Sequence, residues 1–343
     1  MGSIHPMKLQ SNDTGEKLNA AEQGKLWATY MGNTMSIQVL SYVLNHVEDK
    51  EVKEVMQSAF NLSKQIVMTI KDLLQQEQYP LPIGFTEEDV NVSAPRLFAD
   101  EFYLHYLKYL GKAGSSLYSI AVPLVTRRDV RSLFTQLVDN SVQLLNKTNE
   151  VLISKGMLSK PPYIPYPTKA GFIDNKNYMR GFFGEVRPLQ AMEITHLYDI
   201  IENNSISKAV LIGFSQVAQS DKVKQYFLRG KDIAYKHYNM CSKLLEQEDL
   251  SAPMTLDPLV TTSTTPPFSD KLMMFHKVDM FTMRVRSYAN AASLSARHDL
   301  LEKYTRMIVD VGKYSEDGAN LMIQNRWLEE PPHCVDREAL VTK

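Results

Sequence analysis

The chain has 343 residues, enough for two domains, and its 38 basic and 39 acidic side chains nearly cancel. This balance gives no indication of nucleic acid or an anionic membrane as a partner, and no apolar run approaches the roughly 20 residues of a membrane span. Cys241 and Cys334 are the only cysteines, which argues against a disulfide scaffold and favours a reducing cytoplasm.

An internal repeat covers most of the chain. The stretch LNAAEQGKLW at 18–27 matches LQAMEITHLY at 189–198, at an offset of 171. After a one-residue slip to 170, the match continues from Phe98 and Phe268 to the Pro-Pro pairs at 161–162 and 331–332. Matches that keep this order over about 150 residues indicate a tandem duplication.

The predicted elements are all helical. Residues 1–17 are polar and are predicted to be a flexible N-terminus. Residues 18–160 and 189–330 each contain four long segments with helical period, which in the second copy run roughly over 189–217, 221–248, 270–296 and 300–326. Residues 161–188 form a Pro-rich, aromatic linker that we expect to pack on a bundle, and 331–343 form a tail. The fold class is therefore all-α, a tandem duplication of two four-helix up-and-down bundles.

Polar residues interrupt the apolar stripes of the second copy. Glu193 and His196 lie in the stripe of its first helix, His237 and His276 in those of its second and third, and Asp317 flanks that of the fourth. In a simple up-and-down bundle these residues lie within a layer of roughly 10 Å. If the long second connection crosses the bundle, as in ferritin-like folds, His237 and His276 are instead ~18 Å apart.

The first copy keeps one of these five residues and changes the other four. The glutamate persists as Glu22, whereas the three histidines and the aspartate are replaced by Lys25, Ile66, Tyr106 and Lys147. Because the four residues change as a set, the comparison favours a shared role in the second copy.

Carboxylates and neutral imidazoles are ordinary ligands of Zn, Fe, Mn or Ni, and a bound cation offsets the cost of burying a carboxylate. Only one Glu-x-x-His motif lies in the seam, so a mononuclear site is favoured over a di-iron site. We therefore predict a transition-metal ion held by Glu193, His196, His237, His276 and Asp317. The alternative for each histidine is a hydrogen-bonded core residue, and for Glu193 with His196 a buried ion pair. Whether the metal is catalytic, so whether the protein is an enzyme, is left open.

Several stretches resemble a known family. GFSQVAQSDKV, LRGKDIAYKH, PPFSDKLMMFH and YSEDGANLMIQNRWLEEPP are similar to two-bundle proteins of Bacillus-type spore formers, which are classed as a domain of unknown function. Some of these proteins have names such as spore coat protein-like or metalloprotein-like. The resemblance covers nearly the whole chain and implies paired four-helix bundles. It supplies no reaction.

The leading hypothesis is a cytoplasmic metal-binding protein of a sporulating bacterium, with the site in the second bundle and the first bundle as support. No nucleic-acid or membrane partner is expected; a second copy of the chain, in a homo-oligomer, and a spore protein are candidate partners, and the sequence does not choose between them. The alternative is a structural or interaction protein of the spore, in which the polar seam is an ion-pair network. The aromatic linker and the stretch EFYLHYLKYL at 101–110 are then its binding surfaces.

Overall fold

A computed structural model describes residues 6–12, 15–184 and 186–341, apart from the side chain of Ala339. Eight long helices in these ranges form two successive sets of four, and a short helix, α9 (Arg337–Val341), lies near the C-terminus. The first set is α1 (Ala20–His46), α2 (Lys50–Gln76), α3 (Asp100–Ala121) and α4 (Arg128–Ser154). The second set is α5 (Ala191–Val217), α6 (Asp221–Glu246), α7 (Asp270–Leu294) and α8 (His298–Gln324). The prediction of an all-α chain with two four-helix bundles in tandem is confirmed.

The helix boundaries repeat with the offsets read from the sequence. The first residues of α1 and α2 recur 171 positions later in α5 and α6, and those of α3 and α4 recur 170 positions later in α7 and α8. The turns that follow α2 and α6 also have the same backbone conformation, because the equivalent residues Gln78 and Asp249 are left-handed, with φ of 54° and 56°. Two copies of one supersecondary pattern therefore fold in the same way.

The direction of the third helix differs from the simple up-and-down order. Asp199, early in α5, accepts a hydrogen bond from Ser287 late in α7, whereas Ser207 further along α5 contacts Lys277 near the start of α7. Helices α5 and α7 therefore run antiparallel. Since α6 is antiparallel to α5, the long connection from α6 to α7 must cross the bundle, as in ferritin-like folds.

The two bundles are related by an approximate two-fold axis through their long connections. The isolated bridge between Val90 and Phe268 has an equivalent between Val260 and Phe98, with the two copies exchanged. The backbone hydrogen bond from Asn91 to Pro267 is matched in the same way by one from Thr261 to Leu97. Helix α3 then packs beside α5, and its Tyr109 hydroxyl donates a hydrogen bond to the backbone carbonyl of Met280 in α7, so the two copies share one continuous core.

The linker and the stretch at 101–110, both suggested as binding surfaces, differ in exposure from each other and from what the sequence predicts. The linker at 161–188 was expected to pack its aromatic residues on a bundle, and this was wrong for most of them: Tyr163, Tyr166, Phe172 and Phe183 are more than four-fifths exposed. The stretch at 101–110, suggested as a binding surface, is instead largely buried between the bundles. Among the described residues, no helix is long and apolar enough to cross a membrane.

Candidate functional site

The carboxylate of Glu193 caps the start of α5. Its oxygens accept hydrogen bonds from both terminal nitrogens of Arg187 at 2.8 Å and from the backbone N–H of Gln190 at 3.0 Å. Burial tends to raise the pKa of Glu193, but the hydrogen bonds and charge of Arg187 hold it below its usual range. The repeat equivalent, Glu22, is also fully buried. In place of an arginine side chain, it accepts hydrogen bonds from the backbone N–H groups of Thr126 and Arg127. This polar position in the apolar stripe is therefore a helix cap in both copies.

His276 lies at the contact between the two bundles. Its Nε2 is 2.5 Å from the hydroxyl of Tyr106, which is its own repeat equivalent, so the pair lies near the two-fold axis. The ring also contacts Phe214 edge-on, with the centroids 5.4 Å apart. Burial, followed by the nearby charge of Lys277, lowers the pKa of His276 to about 3. The imidazole is therefore neutral at physiological pH.

His237 lies in the middle of the second bundle and has two partners there. Its Nδ1 is 3.0 Å from the hydroxyl of Tyr288, and its Nε2 is 3.2 Å from a carboxylate oxygen of Asp310. Burial and the positive charge of Arg284 lower its pKa to about 4, although Asp310 opposes this shift. Both ring nitrogens are thus engaged.

The other two predicted ligands lie elsewhere. His196 is half-buried, and its Nε2 is buried without a hydrogen-bond partner among the described residues. Asp317 is 53% exposed at the surface of α8 and forms an ion pair with Arg229 at 2.7 Å.

The crossing connection accounts for this separation. Phe214 contacts His276, and Glu193 precedes Phe214 by 21 residues of α5, so the carboxylate and this imidazole lie ~30 Å apart along the bundle. His237 is 16 residues from the start of α6 and His276 is six from the start of α7, at the same end, which separates them by ~15 Å. In the described part of the chain, no three His, Cys, Asp or Glu side chains are placed to hold a metal ion. As arranged, the five predicted ligands do not form a metal-binding set.

A hydrogen-bonded group fills the core of the second bundle instead. We call it the central polar cluster, and it consists of Asn204, Ser207, His237, Lys277, Arg284 and Tyr288. Asn204 accepts a hydrogen bond from Arg284 and donates one to the hydroxyl of Tyr288 at 3.0 Å. Lys277 donates a hydrogen bond to the hydroxyl of Ser207 at 2.9 Å.

Two cations in this cluster are buried without a carboxylate partner. Lys277 and Arg284 are at most 1% exposed, and in the described ranges neither forms an ion pair. Burial and the charge of Arg284 lower the pKa of Lys277 well below its usual value. This lowered pKa reflects the cost of burying a charged amine in the core.

The first bundle keeps only part of this cluster. Asn33 donates to Tyr118 at 3.1 Å, which repeats the pair between Asn204 and Tyr288. The filling residues of the second copy are replaced by smaller or shorter ones. In the order second copy to first, Lys277 corresponds to Leu107, Phe281 to Gly111, Arg284 to Gly114, Tyr314 to Leu144 and Asn203 to Gly32.

A cavity of about 530 Å³ occupies the space that these substitutions leave in the first bundle. A Cβ atom at Gly111 would lie 3.3 Å from Leu145, and one at Gly114 would lie 3.1 Å from Ser141, so both glycines let α3 approach α4 closely. The opposite side of α3 then faces α1 across the cavity, whereas α5 and α7 pack together along their length. The volume lies in the range of about 300–1,000 Å³ that is typical of small-molecule sites.

The lining of the cavity is mostly apolar, and charged groups lie along one part of it. Small residues at four-residue spacing on α1 form one wall: Ala20, Gly24, Ala28, Gly32 and Ser36. The charged groups are Lys25 from α1 and Asp279 and Arg286 from α7. Ala20 and Ala28 are exposed, so the cavity communicates with solvent on this side.

The charged groups of the cavity influence one another. Burial lowers the pKa of Lys25, and the positive charge of Arg286 lowers it further. Burial raises the pKa of Asp279 to about 6, although Arg286 opposes the shift. Nη1 of Arg286 is buried and has no hydrogen-bond partner in the described ranges.

The sequence pattern predicted a site in the second copy, so it missed the residues that line the cavity of the first bundle. The first copy was interpreted as support because it lacks the histidines. The sequence did contain a signal, because the first copy has smaller side chains than the second at equivalent positions. Above all, it has glycine at the positions equivalent to Phe281, Arg284 and Asn203.

Comparisons with known proteins identify the family. No curated protein matches the chain. A crystal structure of a candidate spore coat protein from Bacillus halodurans is 22% identical, with a TM-score of 0.40, and the match covers 44% of this chain and 98% of that one. The family described as protein of unknown function DUF3231 matches twice, over residues 7–169 and 177–340. These matches correspond to the two copies, and the chain belongs to the DUF3231 family.

Proposed function

We propose that this protein binds a small, largely apolar molecule in the cavity of its first bundle. The observation that carries the proposal is the cavity itself, which lies where the second copy of the same fold is filled. Filling the space needs only larger residues at a few positions, as the pair of Gly111 and Phe281 illustrates. An open, apolar volume of this size favours a ligand, since protein interiors are otherwise packed to high density.

In this proposal the second bundle is the rigid support. The central polar cluster and the cap formed by Glu193 and Arg187 hold its helices together. The contact between Tyr106 and His276 then links the support to α3, which forms one wall of the cavity. The roles are thus the reverse of those expected from the histidine pattern.

The neutral fluorescent dye N-phenyl-1-naphthylamine tests the proposal, because its emission rises in apolar surroundings. We expect saturable binding of about one dye per chain. Gly32→Leu should abolish it, since a Cβ at Gly32 meets no atom within 4 Å and the side chain can extend into the cavity. Gly312→Leu is the matched control, because Gly312 is an exposed glycine in α8 with equally open surroundings. Binding that Gly32→Leu leaves unchanged would contradict the proposal.

Metal binding stays a prediction from the sequence, as do the cytoplasmic location and the association with a spore. The separate partners of Glu193, His237 and His276 give it no geometric support. Elemental analysis of purified protein tests it directly: about one transition-metal ion per chain, lost on His237→Ala with the fold retained, would establish it. Metal-free protein after reconstitution would exclude it.

A further inference from the structure

The charged side chains of the cavity carry information about its ligand. Lys25 and Arg286 come from different bundles and are close enough for the guanidinium to lower the pKa of the amine. Neither forms an ion pair with a carboxylate in the described parts of the chain. Two like charges in a partly desolvated site repel each other, so the free protein is destabilised at this point.

The guanidinium of Arg286 also has unused hydrogen-bonding capacity. Its Nη1 is buried and makes no hydrogen bond within the described ranges, although a buried donor of this kind normally has a partner. A bound acceptor would satisfy it. An acidic group suits a guanidinium best, because two parallel N–H groups can bind two of its oxygens.

The apolar part of the cavity is elongated. Its wall on α1 runs from Ala20 to Leu40, which is about 30 Å of helix. The opposite wall on α3 runs from Leu107 to Tyr118. A volume of about 530 Å³ spread along this length fits an extended chain better than a compact ring system.

We infer that the ligand is an anionic amphiphile with a single apolar chain, whose acidic group lies between Lys25 and Arg286 and whose chain extends between α1 and α3. This inference rests on the proposed function, since it concerns the same cavity. An acidic group relieves the repulsion between the two cations and accepts from the buried Nη1. The small residues of α1 then contact the chain.

Asp279 tunes this preference. It lies on α7, seven residues before Arg286, whose positive charge partly offsets the increase that burial causes in the pKa of its carboxyl group. Burial raises the pKa values of three nearby tyrosines, Tyr106, Tyr109 and Tyr118, and the negative charge of Asp279 raises them further. Its ionised carboxylate repels an anionic ligand and partly neutralises Arg286. The preference for an anion over a neutral amphiphile should therefore be limited by Asp279 and rise when Asp279 is uncharged.

Displacement of N-phenyl-1-naphthylamine by decanoate, decyl phosphate and 1-decanol tests the inference, because these compounds share one chain and differ in the head group. We expect both acids to bind at least about tenfold more tightly than the alcohol, the effect of roughly one charge-assisted hydrogen bond. Lys25→Met and Arg286→Met should reduce the preference to about twofold or less. The affinity of each variant for 1-decanol is the reference, so that the preference is measured as a ratio within one variant.

Arg229→Met is the matched control, since Arg229 is an exposed arginine paired with Asp317 and does not line the cavity. It should leave the preference for the acids intact. If the dye and 1-decanol bind but the acids have no advantage, or if the advantage survives Arg286→Met, the inference is wrong and the proposed function stands. If neither the dye nor any amphiphile binds, both are wrong.

Discussion

The two bundles have equivalent helices, the same capping glutamate on the first helix and the same asparagine–tyrosine pair, yet one core is filled and the other is open. Phe281 and Arg284 occupy the centre of the second bundle, whereas their equivalents Gly111 and Gly114 bring α3 close to α4 and leave a cavity of about 530 Å³ against α1. A duplicated fold can thus fill the core of one copy and leave the other open, and the proposed function assigns binding to the open copy. Substitutions at equivalent positions of the two copies test this difference.

The largest expected effect is the loss of stability when the second core is opened. Phe281→Ala removes a ring that is 2% exposed and should lower the free energy of unfolding by about 3–5 kcal/mol. Gly111→Ala at the equivalent position should change it by less than ~1 kcal/mol, because better helix propensity offsets the tight approach to Leu145. Urea denaturation followed by circular dichroism measures both. Equal losses in the two variants would mean that the two cores are packed alike.

The second effect concerns the glutamate that caps the first helix of each bundle. Glu193→Gln removes the charge that two nitrogens of Arg187 bind, and should cost about 2–3 kcal/mol at pH 7. Glu22→Gln should cost less, about 1 kcal/mol, because the partners of Glu22 are uncharged N–H and O–H groups.

The cost of Glu193→Gln should also depend on pH. The pKa of Glu193 is lowered in the folded protein, so its ionised form contributes stability above the unfolded value of 4.5. This contribution is lost as the pH falls through the folded pKa. Thermal unfolding at pH 7 and pH 3 should therefore show a smaller difference between wild type and Glu193→Gln at the lower pH. A constant difference would contradict the assigned ion pair.

The third effect has the opposite sign. Gly32→Leu should raise the free energy of unfolding by about 1 kcal/mol, since leucine is the better helix former and gains apolar contacts in the cavity. Gly312→Leu, which gains helix propensity at an exposed position, should give no more than this increase. A loss of stability in Gly32→Leu would show that the first bundle has no room for the side chain.

The smallest expected effect is a change in ligand affinity with pH. The pKa of Asp279 is raised to about 6, so this carboxyl group is mostly protonated at pH 5.5 and ionised at pH 7.5. Decanoate should displace the dye about threefold more effectively at pH 5.5 than at pH 7.5. Asp279→Asn should remove this dependence and bind decanoate at pH 7.5 as the wild type does at pH 5.5. An unchanged pH profile in Asp279→Asn would assign the effect to another group.

Much of the fold was readable in the sequence because it depends on local and periodic signals. The repeat at offsets 171 and 170 indicated two equivalent copies, and the helical periodicity located the four long helices of the second copy to within two residues. The direction of α7 was not readable, since a long connection can return to either end of a bundle. That single choice separates His276 from Glu193 by ~30 Å along the bundle axis.

The candidate site was harder to predict for a related reason. The sequence showed which residues face a core, and it correctly placed Glu193, His237 and His276 inside. It could not show that each would have a partner of its own, because Arg187, Asp310 and Tyr106 come from other segments. A cavity depends on the summed volumes of residues from several helices. The contribution of Gly32 and Gly114 to it is therefore visible only when the positions of the helices are known.

The most direct test of the difference between the two cores is a crystal structure under xenon pressure, because xenon enters apolar cavities and is readily located. We expect xenon in the first bundle, between Gly32 and Leu107, and none among the residues of the central polar cluster. Xenon sites of equal occupancy in both bundles, or none in the first, would contradict the conclusion that one copy is filled and the other is open.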